Sequence, residues 1–118
     1  MKLSTFKLLE ALTSGHELTA AELDNLLTDQ VVEDLYLEYK HGDELKNPKK
    51  ARDTVRQYTS GFANSDGGIL LIGVDEAEWK VTGASAPGGG DLARWASSCL
   101  QHMASHFSPV PRFYVIDH

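Results

Sequence analysis

The sequence has little cysteine, no long apolar run and no excess of basic charge. Its single cysteine, Cys99, cannot form an intrachain disulfide, which favours a reducing compartment. Residues 1–18 contain no signal peptide or membrane span, because Glu10 interrupts the most apolar stretch. The net charge of −6 argues against a protein that binds any polyanion by charge alone. These absences predict a cytoplasmic globular protein that does not enter a membrane.

The length and composition are those of one packed domain. With 118 residues, 42% hydrophobic and 24% charged, the chain can bury a core without disulfides. Apolar residues occur both at helical and at alternating spacing, so the predicted fold class is α+β, a small mixed β-sheet packed with helices. We divide the chain into an N-terminal helical arm, residues 1–30, and a domain, residues 31–118. The last predicted strand, residues 113–116, either closes the sheet or ends a fragment of a longer protein.

The arm is predicted to contain two short helices. Residues 5–13 repeat apolar side chains at helical spacing. Thr19 and Glu22 form a capping box, which begins a second helix that ends at about Leu27. Neither helix has an obvious base-reading surface. Packing or oligomerisation is therefore the favoured role of the arm, and half of a winged-helix element is the alternative.

The remaining elements alternate between strand and helix. Residues 35–39 alternate in β-forming side chains, with Leu35, Leu37 and Tyr39 on one face. The apolar residues 69–74 predict a strand that is buried on both faces. Around these strands we expect a helix at 50–63, a glycine turn at 64–68, a returning strand at 80–83, and a helix that begins at Asp91 and is broken by residues 108–111.

Acidic and basic side chains are concentrated in different segments. Residues 8–38 carry eight acidic side chains and no lysine or arginine, whereas residues 40–56 carry six of the eleven basic side chains. Contact with the phosphates of a nucleic acid is one interpretation of the basic segment, and such contacts position a backbone without reading its sequence. Two ordinary solvated faces are the alternative. The residues predicted to bind phosphate are Lys46, Lys49, Lys50, Arg52 and Arg56.

Carboxylates and a lysine lie at the ends of the two predicted central strands. Glu33, Glu38 and Lys40 belong to the first strand region, and Asp75 follows the second. Side chains on neighbouring strands can converge, and converging carboxylates stay ionised only beside a cation or a lysine. Oxygen ligands of this kind suit Mg²⁺ or Mn²⁺, which activate water in phosphodiester chemistry. A solvent-facing cross-strand pair is the alternative for Glu38 and Lys40.

Four short motifs carry a resemblance to a known family. They are LEYK at 37–40, GFANSDGG at 61–68, LIGVD at 71–75 and VTG at 81–83. In this order and at this spacing they resemble the Schlafen-type AlbA_2 domain family. The resemblance is firm over residues 31–84, and the usual extent of the family predicts that it continues to the end of the chain.

The resemblance implies a nucleic-acid-binding domain. Many bacterial members of the family are N-terminal parts of transcriptional regulators or helicase-like proteins. In vertebrate Schlafen proteins the related fold is an endoribonuclease that acts on structured RNA such as tRNA. Its three carboxylates correspond here to Glu33, Glu38 and Asp75, which would hold Mg²⁺ or Mn²⁺, with Lys40 as electrostatic support.

Two positions depart from the usual family pattern. Asp34 follows the first glutamate, where many members have serine, and Gly61 stands where they have alanine. We expect Gly61 to mark a close approach of the backbone. Gly67 and Gly68 are expected to supply a positive φ, or room for close packing, where the helix reverses into a strand.

Three functions follow from these observations. The first is a nucleic-acid-binding module, for DNA or RNA, in a regulator or helicase-like protein. The second is a metal-dependent endoribonuclease, and the third is an interaction or homo-oligomerisation domain. Carboxyl groups of Glu33, Glu38 and Asp75 that lie within about 6 Å of one another would favour the nuclease. A Glu33 that points away would favour binding alone.

Overall fold

A computed structural model describes residues 5–63, 67–101 and 111–118. Within these ranges the chain forms α-helices and short strands, which confirms the predicted α+β class. The elements in chain order are α1 (Thr5–Thr13), α2 (Ala20–Thr28), β1 (Leu37–Lys40), a 3₁₀ helix (Gly42–Leu45), α3 (Pro48–Ala63), β2 (Ile69–Ile72), β3 (Val74–Asp75), β4 (Lys80–Val81) and α4 (Leu92–Ser98).

The two N-terminal helices form as their sequence predicts. The Thr19 side chain accepts a hydrogen bond from the Glu22 backbone N–H at 3.1 Å, and the Glu22 carboxylate accepts one from the Thr19 N–H at 3.0 Å. This capping box satisfies N–H groups that the first turn of a helix leaves without partners. Each helix in the described ranges is too short or too polar to cross a lipid bilayer.

The arm and the strands share one hydrophobic core. Leucines of α1 and α2 pack with side chains of β1, β2 and β3, so the arm is packed against the sheet. The division into residues 1–30 and 31–118 stays a prediction. The buried members of this core are Leu8, Leu18, Leu23, Leu26, Leu27, Val31, Leu37, Tyr39, Ile69 and Val74.

Strands β1 and β2 pair in parallel, in the register that joins Leu37 to Ile69 and Lys40 to Ile72. The first strand begins two residues later than predicted. The Asp34 carboxylate accepts a hydrogen bond from the Tyr36 N–H at 2.8 Å, which turns the chain before the strand. Leu35 is therefore 80% exposed and not in the core.

The predicted single strand at 69–74 is interrupted at Gly73. This glycine has a φ of +106°, a backbone conformation that residues other than glycine rarely adopt. Its N–H donates to the Lys40 carbonyl at 2.7 Å, and its own carbonyl accepts from the Thr82 N–H at 2.7 Å. Beyond it β3 pairs antiparallel with β4. The prediction of a strand buried on both faces is wrong, because Ile69 alone is fully buried in β2.

The C-terminal elements are shorter than predicted. Asp91 caps α4 as expected, but the helix ends at Ser98, and residues 102–110 lie outside the described ranges. The predicted strand at 113–116 is wrong, because residues 111–118 form no strand. They instead hold the arm: the Tyr114 hydroxyl accepts the Leu18 N–H at 2.8 Å, and the Arg112 guanidinium donates to the Leu12 carbonyl.

The glycines of the predicted turn behave as expected, although residues 64–66 lie outside the described ranges. Gly67 has a φ of +97°. A Cβ on Gly68 would lie 2.1 Å from the Phe62 ring, so the turn needs glycine for space as well. The expectation for Gly61 is wrong, because a Cβ there would meet no atom within 4 Å.

Glycines 42 and 61 give a matched test of this packing. A Cβ on Gly42 would lie 2.0 Å from the Gly83 carbonyl oxygen. We expect Gly42→Ala to lower the free energy of unfolding by about 3 kcal/mol, because backbone must move. Gly61→Ala should raise it by about 1 kcal/mol through helix propensity. Urea unfolding of both variants checks the pair, and equal effects of the same sign would contradict the described packing.

Candidate carboxylate site and nucleic-acid interface

The side chain of Glu38 is held by two donors. Alternation along β1 buries Leu37 and Tyr39 and leaves Glu38 and Lys40 half-buried on the other face. The Lys40 ammonium lies 3.5 Å from Glu38 Oε1, and the Tyr58 hydroxyl of α3 donates to the same oxygen at 3.2 Å. The carboxylate is therefore fixed between a strand neighbour and the helix that crosses it.

Glu33 lies against two other carboxyl groups. It precedes the turn at Asp34, and its side chain is within hydrogen-bonding reach of the side chains of Glu38 and Glu76. Burial, followed by these two neighbours, raises the pKa of Glu33 from its ordinary 4.5 to about 7. The Glu33 carboxyl therefore holds its proton to a higher pH than an ordinary glutamate.

Asp75 has a different environment. Its Oδ1 accepts a hydrogen bond from the Glu78 N–H at 3.3 Å, which stabilises the turn between β3 and β4. Lys80 is its cross-strand neighbour. The structure thus brings Glu33 and Glu38 together and places Glu76 beside Glu33, while Asp75 braces a turn. In the described part of the chain no group of three or more His, Cys, Asp or Glu residues is arranged to hold a metal ion.

The pair formed by Glu33 and Glu38, called the carboxylate pair below, still suits a hydrated cation. Mg²⁺ commonly binds through one or two carboxylates and keeps several waters. The two side chains offer only oxygen ligands, and a cation beside them would oppose the burial and the neighbouring carboxyl groups that raise the pKa of Glu33. The residues present therefore fit Mg²⁺ or Mn²⁺ with two protein ligands. The catalytic and metal roles of Glu33, Glu38, Lys40 and Asp75 stay predictions.

A groove of about 590 Å³ lies beside α3. Lys40 and Tyr58, which contact Glu38, are also part of its wall. The α3 side chains in the wall follow helical spacing, so they project from one face of the helix. The lining residues are Lys40, Glu44, Asn47, Lys49, Lys50, Asp53, Thr54, Gln57 and Tyr58.

The structure separates the basic residues that were predicted to act together. Lys49 and Lys50 line the groove, whereas Lys46 pairs with Asp43 at 3.0 Å and lines a second groove. The Arg56 Nε–H donates to the Cys99 carbonyl at 2.8 Å, which ties this side chain to the end of α4. The charges of Arg52 and Arg56 both act on the Cys99 thiol, whose pKa is raised by burial. Arg56 therefore faces α4, and Arg52 is near enough for its charge to act on the same thiol.

Comparison with protein-family models matches residues 33–117 to the family described as Schlafen, AlbA_2. The chain belongs to the Schlafen AlbA_2 family. Searches of curated proteins and of solved structures found no match. The predicted resemblance is confirmed, and its extent to residue 117 agrees with the expectation that it continues beyond the motifs.

Sequence reasoning missed two residues of this AlbA_2 domain. At helical spacing Tyr58 falls on an apolar stripe of α3 with Ala51 and Val55, and this pattern hides that its hydroxyl needs a partner, which here is Glu38. Glu76 directly follows the family's aspartate, and no signal in the sequence distinguished it from Asp75. Both contact the carboxylate pair.

Replacement of Glu33 by glutamine should change how stability depends on pH. The pKa of Glu33 is raised from 4.5 to about 7 in the folded state, so its protonated carboxyl adds to the free energy of unfolding below pH 4.5. This contribution is lost as the pH rises to about 7. Glu33→Gln has no carboxyl to lose a proton. Above pH 7 its free energy of unfolding should therefore exceed that of wild type by about 1 kcal/mol, after a reduction for solvent screening.

Urea unfolding at pH 4, 6 and 8 measures this difference. The exposed Glu17→Gln is the matched control and should show no such trend. A difference between wild type and Glu33→Gln that is constant from pH 4 to pH 8 would show that Glu33 does not titrate in this way.

Proposed function

We propose that this AlbA_2 domain binds nucleic acid through the groove beside α3. The observation that carries the proposal is the placement of Lys40, Lys49 and Lys50 along one groove of a chain whose net charge is −6. Membership of the family, whose members are described as nucleic-acid binding, supports the same function. The lining carries three lysines against two acidic residues, Glu44 and Asp53, in a chain that is acidic as a whole, which favours a local contact over non-specific binding.

The chemistry of the groove suits a short stretch of strand. Lys49 and Lys50 can each contact a phosphate, and the exposed pair between Lys50 and Glu44 at 3.3 Å is weak enough to exchange for one. Asn47, Thr54 and Gln57 add neutral hydrogen-bonding groups. At about 590 Å³ the groove has the size of a small-ligand site, so it fits one or two nucleotides of a strand and not the width of a duplex.

Charge reversal in the groove should weaken binding and reduce its salt dependence. For the double variant Lys49→Glu with Lys50→Glu we expect at least tenfold weaker binding of a labelled tRNA pool. The slope of log K against log salt should fall by about 2, because two phosphate contacts are lost. Fluorescence anisotropy at several salt concentrations measures both quantities, with single-stranded and duplex DNA in parallel.

Lys46→Glu is the matched control, because Lys46 lines the second groove and pairs with Asp43. It should change affinity by less than about threefold, through the net charge alone. If Lys46→Glu weakens binding as much as the double charge reversal at Lys49 and Lys50, the interface is not the groove beside α3.

A second function, a metal-dependent endoribonuclease, is favoured by the proximity of Glu33 to Glu38, whose carboxylate contacts Lys40 and Tyr58 of the groove wall. A bound Mg²⁺ or Mn²⁺ would supply activated water and charge neutralisation for phosphodiester hydrolysis. Glu33 and Glu38 would hold the ion. Lys40 would stabilise the negative charge that develops on the phosphate, since its ammonium lies beside Glu38 and lines the groove.

Cleavage of a labelled tRNA pool in Mn²⁺ tests this function. Glu38→Gln should lower the rate at least 100-fold, while Glu17→Gln should leave it unchanged. Asp75→Asn and Glu76→Gln, compared side by side, identify which carboxylate joins the pair. Wild-type protein that binds the pool in a salt-dependent way without cleaving it would leave binding as the function of the domain.

The wider context is proposed from the family alone. As in bacterial members, the domain would serve a cytoplasmic regulator or helicase-like protein. Homo-oligomerisation through the helical arm is the remaining alternative, and the molar mass in solution, measured by light scattering, distinguishes it. A monomer that binds RNA would exclude it as the main role.

A further inference from the structure

Tyr58 contacts two charged side chains of β1, Glu38 of the carboxylate pair and Lys40 of the groove. Its hydroxyl donates to Glu38 Oε1 at 3.2 Å, and the Lys40 ammonium lies 4.9 Å from the centre of its ring. The ammonium is also 3.5 Å from that same Glu38 oxygen. Three groups from β1 and α3 therefore meet at one point.

This contact restricts two side chains that would otherwise be free to rotate. A lysine side chain has four rotatable bonds, and an aromatic face within about 6 Å attracts its ammonium. The Glu38 carboxylate is restricted in rotation by one hydrogen bond, from Tyr58, and by the ion pair with Lys40, and bonds to a charged acceptor are among the stronger ones in proteins. Tyr58 itself is restrained by Phe62, whose ring centre lies 6.3 Å away.

Packing does not account for the tyrosine at this position. In the described part of the chain Tyr58 belongs to neither of the two hydrophobic clusters, which are built around Leu37 and around Val55. Its ring is half-buried and its edge lines the groove. Phenylalanine would fill the same space, so the hydroxyl has its consequence at Glu38.

We propose that Tyr58 is a positioning residue, which sets the orientation of the Glu38 carboxylate and of the Lys40 ammonium and so aligns the groove with the carboxylate pair. The inference rests on the proposed nuclease function for its effect on rate. The restraint on Glu38 and Lys40 is independent of that function. Nucleic acid that lies along α3 would reach Glu38 and Lys40 already in place, which lowers the entropic cost of the reaction.

Tyr58→Phe tests the role of the hydroxyl, with Tyr114→Phe as the matched control. Both variants lose one hydroxyl that makes a hydrogen bond, but the Tyr114 hydroxyl accepts the Leu18 N–H, away from the carboxylate pair. For Tyr58→Phe we expect kcat for RNA cleavage in Mn²⁺ to fall about tenfold, with KM and binding in EDTA within about twofold of wild type. Tyr114→Phe should leave kcat unchanged.

Tyr58→Leu removes the ring as well and should weaken RNA binding in EDTA about threefold, because the Lys40 ammonium loses its aromatic support. Side-chain NMR relaxation of Glu38 and the ammonium signal of Lys40 measure the restraint directly. The Glu38 side chain should show greater motion in Tyr58→Phe than in wild type. In Tyr58→Leu both Glu38 and Lys40 should show greater motion.

The two kinds of readout separate the possible failures. If wild-type protein cleaves no RNA, the nuclease function is refuted. If Glu38 nevertheless moves more in Tyr58→Phe, the positioning role is supported. If neither kcat nor the mobility of Glu38 changes in Tyr58→Phe, the positioning role is overturned. An equal fall of kcat in Tyr58→Phe and Tyr114→Phe would also overturn it, since a loss of stability alone would explain that fall.

Discussion

The parallel pairing of β1 with β2 is the constraint on which the site depends. Its register joins Leu37 to Ile69 and places both in the core. Because side chains alternate along a strand, Glu38 and Lys40 must then face α3. A shift by one residue would bury the charged pair and expose Leu37. The hydrophobic effect on one face of the strand thus fixes the position of the charges on the other.

Electrostatics explains how an acidic chain can present a groove for phosphate. Two acidic residues in or beside the groove have a basic partner: Glu38 has Lys40, and Glu44 has Lys50. At Glu33 the compensation is incomplete, since burial and the neighbouring carboxyl groups of Glu38 and Glu76 raise its pKa to about 7. The groove and the carboxylate pair therefore differ in local charge, although Glu38 contacts Lys40 and Tyr58 of the groove wall.

Local sequence signals predicted the elements, and long-range packing decided the details. The capping box at Thr19 and the alternation at Glu38 and Lys40 need only neighbours in the chain, and both were predicted. Whether Asp75 or Glu76 lies beside Glu33 depends on Gly73, because its φ of +106° interrupts the alternation of side chains between β2 and β3. The separation of Arg56 from Lys50 depends on where α4 docks against α3. Neither follows from spacing along the chain.

The raised pKa of Glu33 makes the carboxylate pair compatible with either proposed function. Without a cation, a protonated Glu33 lowers the negative charge beside Glu38, so a phosphate can approach with less repulsion. With a cation, the same carboxyl loses its proton, since an ion of charge +2 favours the ionised form. The change costs little near pH 7, because the two forms are then close in free energy. Proximity of the carboxylates alone is thus no proof of catalysis, and binding requires fewer assumptions.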